Sequence, residues 1–261
     1  MRFFPNLPAR IRQGLKILVS GILFLLLGLG GAVLSFLVLP VLRLLPGGRG
    51  RLRARAGWLI RRSFQLFVFA LEASGILRVE TRGLPGPEQL KGTLVLCNHP
   101  SYLDVVVLIA LLPQALCVVK GAVYRSVFFG GLVRAAGYIP SAEVLEAGGE
   151  ALLGGNTLIL FPEGTRSRSG QPFKFRRGAA YLALGSGARI LPLVLSCTPE
   201  LLAKGHRWYH VPIETCRFQV RAGGAPPFEA APIGSSTPHL AARQLIEALE
   251  HYYEKEAHAP Q

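Results

Sequence analysis

The stretch Leu94-Val95-Leu96-Cys97-Asn98-His99-Pro100-Ser101-Tyr102-Leu103-Asp104 decides the fold of this 261-residue chain. It begins as an apolar run rich in branched residues, which is typical of a buried strand. The run breaks off at a histidine, and a carboxylate follows five positions later, where Ser101 predicts the N-cap of a helix. The stretch therefore predicts a strand, a turn and a helix start.

His99 and Asp104 are the candidate catalytic pair. The side chain of the third helical residue folds back over the cap, toward the place where His99 lies. A carboxylate that accepts a hydrogen bond from one imidazole nitrogen leaves the other nitrogen free to take a proton. The pair is then a general base without a nucleophile, so the substrate must bring the nucleophile. Ser-x-x-Asp is also a capping box, and a purely structural role for Asp104 stays open at this point.

Strand-like and helical patterns alternate through the rest of the chain, which predicts an α/β sheet with helices on its faces. The predicted strands are 93–97, 116–119, 157–161, 191–196 and 218–220, and the predicted helices are 105–112, 123–136, 144–153 and 178–184, with a closing helix after Thr237-Pro238. Ligands of such sheets collect beyond the carboxyl ends of the strands. His99 falls at one such end.

A second strand end carries Phe161-Pro162-Glu163-Gly164-Thr165-Arg166-Ser167. The guanidinium of Arg166 is a planar fork suited to phosphate or carboxylate, and Gly164 lets the backbone approach an anion closely. For the following Arg168 and Lys174 an ordinary solvated loop is the better interpretation. The turn predicts an anion-binding site beside His99.

The N-terminal part predicts a membrane anchor. Residues 17–42 contain no charge, and as a helix they would be about 39 Å long, against roughly 30 Å of bilayer hydrocarbon. The run either spans the bilayer or forms a hairpin at Gly28, Gly30 and Gly31 that returns to the same side. Basic residues flank it on both sides: Arg2, Arg10, Arg12 and Lys16 before it, and Arg43, Arg49, Arg51, Arg53, Arg55, Arg61 and Arg62 after it. The heavier second flank predicts an inner-membrane protein with its catalytic domain on the cytoplasmic face.

The net charge of +14 belongs mostly to this N-terminal part, because Glu72 is the first acidic residue. Residues 58–71 predict a basic, apolar helix at an anionic lipid surface. We expect no nucleic-acid partner, because the arginines alternate with apolar rather than base-reading residues. The four cysteines are widely spaced without a Cys-x-x-Cys pair, which indicates buried, reduced thiols in the cytoplasm. We therefore predict an anchor with a basic amphipathic helix over 1–78 and a catalytic domain over 79–261.

Two of these motifs together resemble a known family. The segment from Asn98 to Asp104 resembles the His-x4-Asp box, and that from Phe161 to Ser167 the Phe-Pro-Glu-Gly-Thr-Arg box, of the lysophospholipid acyltransferases, whose best-known members are 1-acylglycerol-3-phosphate acyltransferases. Ile190-Leu191-Pro192-Leu193-Val194 is similar to a third block. The resemblance covers roughly residues 94–196. It implies a mixed, mostly parallel sheet flanked by helices, an O-acyltransferase of phospholipid biosynthesis, and no metal or cofactor.

The resemblance also implies residue roles. His99 is the general base with Asp104 as its partner, and the other candidates bind substrate: Asn98, Ser101, Lys120, Glu163, Gly164, Thr165 and Arg166. One feature of the family is absent. An arginine that helps to hold the acceptor phosphate has no counterpart in Ala136-Gly137-Tyr138-Ile139-Pro140-Ser141. Lys120, Arg125 or Arg134 are the candidates to replace it.

The expected reaction moves a fatty acyl chain from a coenzyme A or acyl carrier protein thioester to the hydroxyl of a lysolipid. Acylation of 1-acylglycerol-3-phosphate to phosphatidic acid is the first expectation. The alternatives are a phosphate-free acceptor, such as an aminolipid or a specialised lipid or pigment intermediate, and a non-catalytic lipid-binding scaffold.

Three other kinds of site are disfavoured. No Gly-x-Ser-x-Gly elbow of a serine hydrolase is present. A nucleophilic Cys97 beside His99 is disfavoured because a strand cysteine is usually core. His206 and His210 lack the intervening carboxylate of a metalloprotease site.

Overall fold

The N-terminal region forms one long helix and a second helix that packs back on it. The computed structural model describes residues 8–168, 170–223 and 237–257, so Arg2 of the first basic flank lies outside the described residues. Helix α1 (Ala9–Val33), a π-helical stretch (Leu34–Val38) and α2 (Leu39–Leu44) run on without a break, and α3 (Gly48–Ala73) follows. The most apolar 18-residue window of the continuous helix Ala9–Leu44 has a mean hydropathy of 2.7, and the helix is long and apolar enough to cross a membrane.

The alternative of a reversal at Gly28, Gly30 and Gly31 is wrong. The helix continues through these glycines, and the backbone N–H of Leu34 donates to the carbonyls of Gly30 and Gly31. The chain reverses at 45–47 instead. Leu45 precedes a proline and is extended, with ψ of 141°, and Gly47 has a φ of +124° that favours glycine.

Seven strands form one sheet. They are β1 (Leu77–Arg82), β2 (Thr93–Cys97), β3 (Leu116–Val119), β4 (Ile139–Pro140), β5 (Leu158–Leu160), β6 (Arg189–Thr198) and β7 (Cys216–Ala222). Their order is β1-β7-β6-β2-β5-β3-β4, and every neighbouring pair is parallel except β6 with β7. The predicted fold class, a mixed and mostly parallel sheet flanked by helices, is confirmed.

Six further α-helices and two short 3-10 helices (Pro87–Leu90 and Ser141–Glu143) complete the described fold. The α-helices are α4 (Leu103–Leu111), α5 (Gly121–Tyr124), α6 (Gly130–Ala135), α7 (Glu146–Leu153), α8 (Gly178–Ser186) and α9 (Pro238–Ala257). The single helix predicted over 123–136 is wrong, because the chain breaks it between α5 and α6. At this break Gly130 packs against the carbonyl of Tyr124, where a side chain would not fit. The predicted closing helix is present as α9, with Leu245, Leu249 and Tyr253 buried and Leu240 exposed.

Helix α3 joins the N-terminal region to the sheet. Its inner residues Ile60, Phe67 and Leu71 are buried in the main core, while Trp58, among others, stays exposed. The boundary predicted between residues 78 and 79 falls inside β1. The division into an anchor and a catalytic domain stays a prediction.

Cys97, Cys117, Cys197 and Cys216 are free and buried, as predicted. Cys97 is the last residue of β2 and precedes the turn that carries His99. In the parallel part of the sheet the carboxyl ends of β2, β3, β5 and β6 meet at one edge. That edge holds both predicted motifs.

Candidate active site

The turn between β2 and α4 brings His99 and Asp104 together. His99 Nδ1 lies 2.6 Å from Asp104 Oδ2, and the same oxygen accepts a hydrogen bond of 2.9 Å from the backbone N–H of Ser101. Ser101 Oγ in turn accepts the N–H of Leu103 at 3.2 Å. Helix α4 begins one residue later than predicted, with Tyr102 as its N-cap. The structural and catalytic interpretations of Asp104 are still compatible, because one carboxylate oxygen accepts the Ser101 N–H and orients the imidazole.

The surroundings of His99 and Asp104 indicate which imidazole nitrogen acts as the base. The His99 side chain is 15% exposed, and its ring packs 4.4 Å from the ring of Phe161, centre to centre. Asp104 is fully buried, and this burial raises its pKa to about 6, although hydrogen bonds from His99 and Ser101 act in the opposite direction. Nδ1 is held by Asp104, so Nε2 is the nitrogen that can take a proton.

Glu163 and Ser167 tie the second motif to the first. The N–H of His99 donates to Ser167 Oγ at 2.9 Å and to Glu163 Oε1 at 3.3 Å, and Ser167 N–H donates to the His99 carbonyl at 2.7 Å. Ser167 Oγ also donates to Glu163 Oε1. Burial raises the pKa of Glu163, with these hydrogen bonds opposing the shift. We did not predict Ser167 as a site residue, although it ends the second motif, because a single serine in a loop gives no signal of its own.

Arg166 faces a segment that the sequence did not single out. Its Nη1 donates to the carbonyls of Leu202 (2.9 Å) and Ala203 (2.7 Å), and the guanidinium lies 3.6 Å from the ring centre of Tyr102. Ser101 Oγ donates to the carbonyl of Leu201 at 2.7 Å. An arginine has five N–H donors, so among the described contacts three are left for a ligand.

The other predicted substrate-binding residues lie at different distances from solvent. Asn98 is buried, and its amide exchanges two hydrogen bonds with the backbone of Leu195, at 2.8 and 2.7 Å. Gly164 has a φ of +65°, and its N–H donates to the carbonyl of Phe161. Thr165 is half-buried in the same turn, and Lys120 is exposed just after β3. Substrate binding by these residues stays a prediction.

A large apolar cavity opens beside α4. It has a volume of about 590 Å³ and lies between α1, α3 and α4, with α6 at one end. Val105 and Val106, the two residues after Asp104, form part of its wall, and Phe24, Phe64 and Phe129 form another part. Sequence reasoning missed it, because its walls come from helices that are far apart in the chain.

The fold and the site define an α/β protein with a histidine–aspartate dyad at the carboxyl edge of its sheet. Residues 78–196 match the family model described as Acyltransferase. Residues 78–196 are therefore similar to the acyltransferase family, and the predicted resemblance to the lysophospholipid acyltransferases is confirmed.

Individual relatives agree with this assignment. The chain is 28% identical over 170 residues to a 1-acyl-sn-glycerol-3-phosphate acyltransferase of Pseudomonas aeruginosa, covering 61% of this chain and 62% of that protein. It is 30% identical over 152 residues to the beta form of Homo sapiens, covering 54% and 51%. The chain spans about half the length of the curated relatives it matches.

A solved structure shows the same fold. The crystal structure of the 1-acyl-sn-glycerophosphate acyltransferase PlsC from Thermotoga maritima matches 97% of this chain and 100% of that chain. The TM-score is 0.64 at 20% sequence identity. At this identity the match supports the architecture, including the long N-terminal helix.

Proposed function

We propose that this protein transfers a fatty acyl chain from an acyl thioester to the hydroxyl group of a lysolipid. The observation that carries the proposal is the 2.6 Å contact between His99 Nδ1 and the buried carboxylate of Asp104, at an imidazole that is 15% exposed. A base without a protein nucleophile suits a reaction in which the acceptor alcohol is the nucleophile. The relatives named above are O-acyltransferases of this type.

In the proposed mechanism His99 acts as the base. Nε2 takes the proton of the acceptor hydroxyl while its oxygen attacks the thioester carbonyl, and Asp104 stabilises the imidazolium that forms. The tetrahedral intermediate then expels the thiolate, and the imidazolium can return its proton to the sulfur. The products are the ester and the free thiol, so protons balance without a cofactor.

The oxyanion of the intermediate needs N–H donors. The helix-start amides of Ser101, Tyr102 and Leu103 already have acceptors, as does that of Gly164. Among the described contacts the N–H groups of Glu163 and Thr165 have none. We propose that these two amides of the turn stabilise the oxyanion.

The apolar cavity beside α4 suits the acyl chain of the donor. Its wall includes Val105, directly after Asp104, and its volume of about 590 Å³ lies in the usual range of small-molecule binding sites. Because polar side chains are nearly absent from its wall, burial of hydrocarbon is the favourable interaction it offers. The donor thioester would then sit at the mouth of the cavity, next to His99.

We propose 1-acylglycerol-3-phosphate as the acceptor, with its phosphate at the three remaining N–H groups of Arg166. Lys120 lies at the end of β3 on the same sheet edge and can add a second positive charge. A phosphate-free acceptor is the second candidate, because Ala136-Gly137-Tyr138-Ile139-Pro140-Ser141 has no arginine and Arg134 already donates to the carbonyl of Tyr124 at 2.6 Å. Both coenzyme A and acyl carrier protein fit as carriers of the donor.

We further propose that the chain works at the inner membrane with its sheet on the cytoplasmic side. Support comes from the apolar helix Ala9–Leu44, only 11% of whose most apolar window is buried, and from the basic residues at both of its ends. The exposed leucines along this helix suit a hydrocarbon environment. An acceptor lipid could then reach His99 from the bilayer.

An acylation assay tests this proposal. Purified protein in detergent is given palmitoyl-coenzyme A and a panel of lysolipids with and without phosphate, and the lipids formed are identified by mass spectrometry. We expect phosphatidic acid from 1-acylglycerol-3-phosphate, no product with His99→Ala, and normal product with the control Cys97→Ala. Exclusive acylation of phosphate-free acceptors would establish the second candidate. Absence of turnover in the parent with every pair of donor and acceptor would indicate a lipid-binding scaffold.

A further inference from the structure

A second large cavity lies away from the dyad. It has a volume of about 1110 Å³ and is enclosed by the first turns of α1, the last turns of α3, the start of β1 and the segment 213–217. Since β7 is antiparallel to β6, with Arg217 opposite Thr198, the amino ends of β7 and β1 lie at the same sheet edge as the carboxyl end of β6. The cavity and His99 therefore share one edge of the sheet.

Positive charge dominates the lining of this cavity. Two acidic residues, Glu72 and Glu214, face four basic ones, Arg12, Lys16, Arg78 and Arg217. The carboxylate of Glu72 already accepts the N–H of Val79 at 2.9 Å.

Glu80, outside the lining, lies 3.2 Å from Arg78 and 3.6 Å from Arg217. Both arginine side chains are mostly exposed, so these ion pairs are weak and exchange readily with another anion.

Two of the basic side chains have buried N–H groups for which the described residues supply no acceptor. Arg12 Nε is buried and has no hydrogen-bond partner among the residues that the structure describes. Lys16 is more than nine-tenths buried, and its Nζ donates to the carbonyls of Ile213 (2.9 Å) and Glu214 (3.3 Å). An ammonium group has three donors, so the described contacts of Lys16 leave one. Buried donors of this kind need an acceptor.

The rest of the wall is apolar and continues onto the surface of the N-terminal helix. Leu15 and Val19 of α1 face Phe69 and Ala70 of α3 across the cavity. Phe69 is 66% exposed, so the apolar wall extends into the open. A ligand of this cavity therefore combines an anionic group with hydrocarbon.

We propose that this cavity binds one anionic phospholipid of the surrounding bilayer. Its phosphate lies among Arg12, Lys16, Arg78 and Arg217, and one acyl chain lies against Leu15, Val19 and Phe69. The bound lipid fastens the carboxyl edge of the sheet to the membrane surface, which holds the His99 side of the molecule at the level of the lipid headgroups. The site is independent of the proposed acyl transfer, since it shares no lining residue with the dyad or its loops.

Native mass spectrometry of the full chain, released from micelles with equal amounts of phosphatidylglycerol and phosphatidylcholine, tests this site. We expect one retained phosphatidylglycerol per chain. The double variant Arg12→Gln/Arg78→Gln should reduce its retention by about tenfold or more, because each basic residue near an anionic lipid contributes a several-fold gain. The control Arg49→Gln/Arg51→Gln removes the same charge outside the cavity and should retain the lipid.

Equal losses in the two double variants would overturn the proposal, because they would show attraction by overall charge. Equal retention of the two lipids by the parent would overturn it too. Ala73 at the end of α3 also lines the cavity. A second variant, Ala73→Trp, keeps every charge but fills space at this wall, and it should also lose the lipid while unfolding at the parent's temperature. Inorganic phosphate should not displace the lipid, since it makes no hydrocarbon contact, and displacement would identify a phosphate site instead.

Discussion

At the scale of single residues, one carboxylate oxygen of Asp104 makes two hydrogen bonds with different roles. Its Oδ2 accepts hydrogen bonds from the Ser101 backbone and the His99 ring, while Oδ1 is buried without a partner among the described residues. Full burial makes ionisation of this carboxyl group costly, which is the cause of its raised pKa. The activity should therefore depend on pH through Asp104.

We expect kcat/KM to fall by about tenfold for each pH unit below a midpoint near 6, because protonated Asp104 cannot stabilise the imidazolium.

Asp104→Asn should lower kcat by about 10³- to 10⁴-fold, because the amide favours the wrong imidazole tautomer. Rates measured with an acyl thioester from pH 5 to 8 check both. An unchanged acidic limb in Asp104→Asn would contradict the assignment of that limb to Asp104.

The raised pKa of Asp104 also determines whether the free energy of unfolding rises or falls with pH. The ordinary value of 3.8 lies below the folded value of about 6, so between these pH values the folded state binds more protons than the unfolded chain. The contribution of Asp104 to the free energy of unfolding is therefore largest below 3.8 and is lost as the pH rises through about 6. Urea unfolding at pH 4.5 and 6.5 should show less of this decrease in Asp104→Asn than in the parent.

Ser167→Ala should loosen the connection between the two loops. The variant loses the nearer of the two acceptors of the His99 N–H and the hydroxyl donor to Glu163, which should lower the free energy of unfolding by about 1–3 kcal/mol. We expect kcat to fall more than KM rises, because the imidazole loses its position. The control Ser126→Ala removes a hydroxyl with one long bond, of 3.4 Å, and should change neither quantity.

Only the local part of the site could be predicted from the sequence. His99 and Asp104 are five residues apart, so the turn and the helix start bring them together whatever the rest of the chain does. The contact of His99 with Ser167 depends on β2 and β5 being neighbours, and that of Arg166 with Leu202 depends on how a distant loop folds over the site. Spacing along the chain carries no information about such contacts.

At the scale of secondary structure, Asn98 joins the end of β2 to β6, which continues beyond it. Its side-chain amide extends the backbone hydrogen bonding between β2 and β6, because it donates one hydrogen bond to the backbone of Leu195 and accepts another from it. Because β6 continues past the end of β2 toward residues 201–203, the hydrogen bonds of Asn98 also help to position these residues over the His99 site.

Asn98→Leu should lower the free energy of unfolding by roughly 2–4 kcal/mol, since it leaves the N–H and the carbonyl of Leu195 buried and unpaired. Asn156→Leu is the matched control, because that amide also makes two hydrogen bonds but is only partly buried. Its loss should be clearly smaller. Chemical unfolding of the purified variants in one detergent gives both values, and equal losses would contradict the role of Asn98.

Elements with a strong periodic pattern could be predicted, and short ones could not. The strands β2 and β3 lie where the apolar runs place them. β4 has two residues, Ile139 and Pro140, and such a length leaves no pattern to detect. β1 alternates charged and apolar residues at one edge of the sheet, so it lacks the continuous apolar run of a central parallel strand.

At the scale of the whole molecule, the N-terminal helix has two faces with different surroundings. One face packs on α3, where the rings of Phe24 and Phe67 lie 5.3 Å apart, and encloses the apolar cavity. The other face exposes Leu18, Leu25 and Leu29, which are 59%, 61% and 56% exposed. Removal of the whole helix would therefore damage the core as well as the proposed membrane contact, so a smaller change is needed to separate the two effects.

Lysine at Leu18, Leu25 and Leu29 together should release the protein from membranes, because these three side chains share one helical face and make the proposed lipid contact. The temperature of unfolding should change little, since the buried face is intact. Carbonate washing of membranes and thermal unfolding measure the two effects. A control with lysine at three other exposed leucines, Leu145, Leu153 and Leu240, should stay in the membrane fraction.

The burial of all four thiols offers a practical benefit for spectroscopy. A maleimide dye has no accessible native sulfur to attack, so a cysteine placed at Leu45, on the exposed 45–47 turn, becomes the sole labelling position without any background substitution. Quenchers fixed at known depths along the lipid tails would then measure how far that turn sinks into a vesicle.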